Sequence, residues 1–254
     1  MSFTVKEENG FKYIEEGEGD VLLLLHGLFG ALSNWQDVTE TFKGQYRVVI
    51  PLLPIYELPL LTTGVTTLAK HLHKFVKFKK LNNINVLGNS LGGHVGLIFT
   101  LSHPEFVKTL VLTGSSGLYE NSFGGTFPRR ESYDFIKEKV AFTFYDPEFA
   151  TKELVDEVFA TVNDRNRVIR ILAMAKSAIR HNMAKELHKI TIPTCLIWGR
   201  DDRVTPPEVA EEFHQLLPNS ELNWIDKCGH APMMEQPEEF ITYLKKFLDR
   251  VLLK

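Results

Sequence analysis

Cysteine is nearly missing from this chain: Cys195 and Cys228 are the two among 254 residues. Two distant thiols make no disulfide framework, and without a C-x-x-C pair they make no zinc site. Charge of one sign is lacking as well. A net charge of −3 excludes a nucleic-acid backbone or an anionic membrane as the main partner. No apolar stretch is long enough to span a bilayer, and Met1 to Glu8 has no signal-peptide core. No internal repeat or low-complexity tract interrupts the chain. These absences lead us to expect a cytoplasmic monomer or homodimer whose partner is a small molecule.

What is present is a large core and a rhythm. Hydrophobic residues make up 44% of the chain, enough for one large domain or a domain carrying an insertion. Phe3 to Lys6 and Phe11 to Ile14 flank Asn9-Gly10, a hairpin signal. Apolar runs at 21–25, 46–50, 84–87 and 110–113 read as buried strands. Helical spacing at 34–42, 66–78 and 94–102 alternates with them. On the helix at 66–78 the lysines and the histidines His71 and His73 read as a solvated face. Strands alternating with helices imply a parallel sheet covered on both sides.

The alternation stops near Leu118. Up to about Leu187 the patterns are helical only, at 131–142, 151–162 and 167–181. The βα rhythm then returns with strands at 195–198 and 222–225 and a closing helix from Pro237. Thr205 and Glu208 read as a capping box with Pro206 at the first helical position. The expected organisation is an α/β core, 1–117 with 188–254, and a helical cap, 118–187, inserted over one edge of the sheet.

Chemistry concentrates in three loops that follow strands. Gly88-Asn89-Ser90-Leu91-Gly92 is a G-x-S-x-G between strand and helix, the pattern of a nucleophile elbow, with Gly88 and Gly92 needed where backbones approach closely. The alternative is a glycine-rich turn whose serine caps the helix, so Ser90 needs partners. A serine hydroxyl becomes a nucleophile when a base takes its proton and a third group holds that base in one tautomer. His230, in Lys227-Cys228-Gly229-His230, follows the last strand, and Asp201-Asp202 follow the strand before it. Ser, Asp, His is the chain order of this class of hydrolase. Asp202 is assigned to orient His230, and Asp201 to solvent or a salt bridge. The backbone amides of Leu28, in His26-Gly27-Leu28-Phe29-Gly30, and of Leu91 would hold an oxyanion. Phe29, Phe123, Phe127 and Phe142 are candidates for an apolar pocket, Gly124-Gly125 for a turn or hinge, and Cys228 for a core residue. This chemistry requires no metal and no organic cofactor.

With these residues assembled, the chain resembles the α/β-hydrolases, in the group of cap-bearing esterases and carbon–carbon hydrolases. The elbow, Trp198-Gly199-Arg200-Asp201-Asp202-Arg203, the His230 loop and Gly114-Ser115-Ser116-Gly117-Leu118 are similar to the meta-cleavage-product hydrolases, which split vinylogous 1,5-diketones. That resemblance places the acid at Asp202, third after the glycine. Three departures follow. Val158 stands where those enzymes carry a cap-helix arginine for the substrate's carboxylate, Asp37 replaces an asparagine, and Ala231 replaces the tryptophan after the histidine. Arg165, Arg167 and Arg170 lie further along the chain. The His26 loop is similar to small esterases, and Pro51 to Tyr56 matches neither group.

The sequence thus implies a serine hydrolase of a small carboxylic ester or thioester, working through an acyl-enzyme. Its alternatives are a diketone carbon–carbon hydrolase and a non-catalytic small-ligand receptor. A dehalogenase or epoxide hydrolase would need a carboxylate where Ser90 stands.

Overall fold

The structure, a computed structural model, describes residues 3–30, 35–121 and 129–252. A hairpin opens it: β1 (Lys6–Glu8) and β2 (Phe11–Glu16) meet through Asn9 and Gly10, at φ 50° and 78°, the left-handed values a two-residue hairpin turn requires. The first strand starts at Lys6 rather than Phe3. It is exposed along its length, and its charged residues blunt a sheet edge.

The expected alternation follows: β3 (Asp20–Leu25), α1 (Gln36–Phe42), β4 (Tyr46–Pro51), α2 (Val65–Phe78), β5 (Ile84–Asn89), α3 (Leu91–Ser102) and β6 (Val107–Thr113). Between β6 and β7 the regular elements are helical: α4 (Tyr133–Ala141), α5 (Lys152–Asn163) and α6 (Arg165–Arg180), with no strand among the described residues. Side chains of Ser132, Thr151 and Asp164 accept the first free N–H groups of these three helices. The chain closes with β7 (Thr194–Gly199), α7 (Pro207–Leu216), β8 (Ser220–Ile225), α8 (Pro232–Glu235) and α9 (Pro237–Leu252).

The eight strands lie in the order β1-β2-β4-β3-β5-β6-β7-β8, parallel from β4 to β8 and antiparallel at β1 and β2. Alternate residues feed separate cores on the two faces. Leu23, Leu25 and Val86 pack with Leu72, Phe75 and Phe213 on one side. Leu22, Leu24 and Leu87 pack with Val38, Phe42, Leu244 and Phe247 on the other. A strand buried on both faces reads as a continuous apolar run, which is why 21–25 and 84–87 were legible. From β3 the chain steps outward to β4 and then returns to β5 on the other flank of β3. That reversal leaves a crevice at the C-terminal ends of β3 and β5, the place where open α/β sheets take their ligands.

One expectation for α2 fails. Lys70, Lys74 and Lys77 are exposed, but His71 and His73 are half-buried. His71 packs on Phe11 with ring centroids 5.0 Å apart, and His73 stacks on His103 at 3.7 Å. An imidazole is flat and largely apolar on its faces, so helical spacing alone misassigned the pair.

Glu15 on β2 joins the antiparallel end of the sheet to its neighbours. It accepts from Arg47 Nε at 2.7 Å and from Lys79 Nζ at 3.0 Å. Burial favours the neutral acid, yet the bonds and charges of Lys79 and Arg47 prevail and hold its pKa at about 2. A depressed carboxylate pKa adds stability above pH 4.5 that is lost as pH falls toward 2. Glu15→Gln should therefore cost about 1 kcal/mol at pH 7, discounted for solvent screening, and less than half of that at pH 3. Urea unfolding at both pH values measures this, and an equal cost at both would refute the ion-pair account.

Candidate active site

Ser90 sits at φ 54° and ψ −121°, a strained conformation for a side chain bearing a Cβ. Its surroundings over-determine that bend. The Ser90 amide donates to the Thr113 carbonyl at 3.1 Å, and the Ser90 carbonyl accepts from Ser116 N at 3.1 Å. A Cβ on Gly88 would lie 2.6 Å from the Gly92 carbonyl oxygen, and one on Gly92 2.1 Å from the Leu25 carbonyl oxygen. The elbow is wedged against the end of β3, and only glycine allows it.

His230 comes from the loop after β8. Its Nδ1 lies 2.9 Å from Asp202 Oδ2, and both residues are buried. Asp202 Oδ1 accepts the amides of Val204 and Thr205 at 2.8 and 2.9 Å, and Oδ2 also accepts the Thr205 hydroxyl at 2.8 Å. Burial disfavours imidazolium at His230, but the charge and hydrogen bond of Asp202, with the charges of Glu120 and Glu235, outweigh it and raise the pKa above 6.5. With Nδ1 engaged, Nε2 is the nitrogen left for the cavity that Ser90 and His230 both line. Among the described residues the Ser90 hydroxyl makes no hydrogen bond to His230, and such bonds often tighten only when substrate binds. Asp201 is partly exposed, and its amide donates to the Cys228 carbonyl at 2.9 Å.

The capping-box expectation is corrected here. The helix begins at Pro207 with no side-chain cap, because the Thr205 hydroxyl belongs to Asp202 and stands 3.3 Å from His230 Nδ1. Sequence reasoning missed other struts. Asn89 Nδ2 donates to the carbonyls of Thr113 and His230 at 3.1 and 3.2 Å. Glu235 accepts the amides of Gly229 and Tyr145 at 2.8 and 2.7 Å, and His230 N donates to the Thr143 carbonyl at 2.8 Å. The histidine loop is thus bolted to the elbow below and to the helical segment above. The Asn89 signal was its place beside the nucleophile; Glu235 gave none.

Leu28 and Leu91 both line the cavity, and their amides donate to no protein acceptor among the described residues. Buried His26 sets the Leu28 loop. Its Nδ1–H donates to the Gly27 carbonyl at 2.9 Å, and its Nε2 accepts the Leu53 amide at 3.0 Å. Burial lowers the His26 pKa, which suits a neutral ring with one nitrogen donating and the other accepting. The loop from Pro51 to Tyr56, unmatched at the sequence level, braces this turn: the Tyr56 hydroxyl donates to the Leu28 carbonyl at 3.2 Å.

The cavity has a volume of about 130 Å³. Phe29 lines it, with Phe144, Leu154, Val158, Ala231 and Met234. Phe142 does not: it is 39% exposed and lies under the Arg203 guanidinium at 5.9 Å. Phe142 caps the end of α4, and Phe144, two residues on in the following turn, takes the inward position. Phe123, Phe127 and Gly124-Gly125 lie outside the described residues. Arg167 sits over the Tyr56 ring, Arg170 donates to the Leu58 carbonyl at 2.8 Å, and Arg165 and Asp37 are exposed. Cys228 is buried in the core, where burial pushes its thiol pKa well up.

Comparison with known proteins agrees with this architecture. Residues 22–242 match the family described as the alpha/beta hydrolase family. This chain belongs to the alpha/beta hydrolase family, and it is a hydrolase enzyme of that fold. Relatives include 2-hydroxy-6-oxo-6-(2'-aminophenyl)hexa-2,4-dienoic acid hydrolase of Metapseudomonas resinovorans, 30% identical with 94% of this chain and 87% of that protein covered. Lipase 1 of Psychrobacter immobilis is 27% identical, with 97% and 83% covered. A crystal structure of MGS-MChE2, an alpha/beta hydrolase enzyme from the metagenome of lagoon sediments at Mar Chica, Morocco, is 48% identical. It superposes with a TM-score of 0.81 over 97% of this chain and 98% of that one.

The doubled contact of Thr205 yields a prediction. Thr205→Val strips a buried carboxylate of a donor and should destabilise the fold by about 1–3 kcal/mol, while Thr205→Ser should stay near wild type. Denaturant midpoints test this, and equal stability of all three proteins would contradict it.

Proposed function

We propose that this chain is a serine hydrolase of small carboxylic esters or thioesters, in which Ser90 attacks, His230 carries the proton and Asp202 orients the imidazole. The observation carrying this reading is the 2.9 Å contact of His230 Nδ1 with buried Asp202, beside a cavity shared with a strained serine. Asp202 fixes the tautomer that leaves Nε2 unprotonated and ready to accept the Ser90 proton. As Ser90 Oγ bonds to the carbonyl carbon, charge moves to the carbonyl oxygen, and the amides of Leu28 and Leu91 receive it. His230 returns its proton to the departing oxygen or sulfur, leaving an acyl-serine. Water attacks that ester by the same relay and frees the acid.

The helices between 118 and 187 act as a cap on a core of 1–117 and 188–254, with Phe144, Leu154 and Val158 supplying the apolar walls. A cytoplasmic setting suits Cys195 and Cys228, both buried and unpaired. Two relatives divide between dienoic acid and lipid names, and the cavity favours the ester side. Its lining among the described residues includes no lysine or arginine to receive a substrate carboxylate, and Val158 lines it instead.

Ser90→Ala should lower turnover of p-nitrophenyl acetate by roughly four to six powers of ten, whereas activity within tenfold of wild type would remove Ser90 from the mechanism. The rate should also track His230. The base works when neutral and its pKa is raised, so kcat/KM should climb with pH through an ionisation above 6.5. A profile flat from pH 5 to 9, with chemistry limiting, would exclude the imidazole as base.

A further inference from the structure

Among the described residues one ionisable side chain besides His230 lines the cavity, and the mechanism makes no use of it. Glu120 follows β6 by seven residues and reaches the same space as Ser90 and His230. Ser116, whose amide holds the Ser90 carbonyl, donates its hydroxyl to Glu120 Oε2 at 2.6 Å. That is the one hydrogen bond to this carboxyl among the described residues, so Oε1 keeps its capacity to accept. Asn121 is pinned beside it, its amide donating to the Val204 carbonyl at 2.7 Å and its Nδ2 to the Arg203 carbonyl at 2.8 Å. The carboxyl is therefore placed by the elbow on one side and by the Asp202 loop on the other.

A half-buried acid without a lysine or arginine beside it is costly, and desolvation raises the Glu120 pKa against the opposing pull of the Ser116 hydroxyl and His230. In a mostly apolar chamber such a group discriminates in two ways. It accepts a hydrogen bond from a substrate donor, and it repels a substrate carboxylate that no lysine or arginine is there to balance. His230 is the group that returns a proton to the leaving atom, and the charge of Glu120 is felt at His230. Asn121 ties this segment to the Asp202 loop that holds His230, so Glu120 faces the side of the cavity where the leaving portion of the substrate lies.

We infer that Glu120 is a specificity-determining residue, selecting esters whose leaving alcohol carries a hydrogen-bond donor, a hydroxyl or an ammonium, and rejecting those whose leaving alcohol carries a carboxylate. This rests on the serine-hydrolase reading for the direction of cleavage. The selection itself is a binding property of the cavity.

The test uses four esters of butanoic acid, with n-propyl, 2-hydroxyethyl, 2-(dimethylammonio)ethyl and carboxymethyl leaving groups, at pH 8. Wild type should prefer the hydroxyethyl ester over the carboxymethyl ester on the order of 100-fold in kcat/KM, the scale of a buried polar group left unpaired or opposed by like charge. In Glu120→Gln, which preserves shape and a carbonyl acceptor, that ratio should fall to within about tenfold, the hydroxyethyl-over-propyl preference should survive, and the ammonium ester should lose its advantage. In Glu120→Leu the hydroxyethyl-over-propyl preference should vanish too. A structural role would lower all four substrates together and leave the ratios alone, and that result, in variants that melt like wild type, overturns the inference. Equilibrium binding of the same esters to Ser90→Ala, with and without Glu120→Gln, separates the two claims. If wild type turns over no ester but binding keeps this order, the hydrolase reading fails and the Glu120 assignment stands. If binding ignores residue 120, the assignment fails whatever the turnover.

Discussion

The hydrogen bond from His230 Nδ1 to Asp202 Oδ2, 2.9 Å long and shut away from water, is the contact on which the rest of the site depends. An imidazole on a loop has two nitrogens and a free rotor, and neither is of use until one nitrogen is committed. Three donors fix Asp202 before it fixes the ring, the amides of Val204 and Thr205 and the Thr205 hydroxyl. The carboxylate is thus oriented by two amides and a hydroxyl rather than by a cation. An arginine there would have competed with the histidine for the same oxygen.

That contact is available because of sheet topology. Loops after β3, β5, β7 and β8 bring the Leu28 turn, the elbow, Asp202 and His230 to one end of the sheet, although Leu28 and His230 lie two hundred residues apart. Parallel strands guarantee that successive βα loops share an end. The energy of holding Ser90 at a positive φ comes from the surrounding packing: backbone against backbone at Gly88 and Gly92, and two buried cores of branched side chains gripping β3 and β5 from both faces. Distant burial and local strain are in this sense one system.

Much of this was legible in the residues themselves, for physical reasons that also mark where legibility ended. Runs such as Val21 to Leu25 announce buried strands, and Gly88, Ser90 and Gly92 announce a turn too tight for other side chains. The helical stretch between β6 and β7 showed in its spacing. Thr205 was misread because its signal was local and its partner was not. A threonine before Pro-Pro-Glu is a helix cap until an aspartate three residues earlier claims the hydroxyl. Phe142 failed for a related reason, since composition says that a segment is aromatic but not which ring turns inward. His71 and His73 were counted as polar although their ring faces pack on Phe11 and His103. Glu120, in a loop, and Glu235, at the end of the short α8, carried no signal at all: either glutamate looks like surface until the chain folds around it.

The central claim is that His230, held by Asp202, makes the Ser90 hydroxyl a nucleophile. Its most direct measurement is labelling of the folded protein with a fluorophosphonate and mapping of the adduct by peptide mass. The account predicts one adduct per chain, on Ser90, formed rapidly in wild type and all but lost in His230→Ala. An unlabelled Ser90 in native protein, or labelling that proceeds as fast without the imidazole, would contradict it.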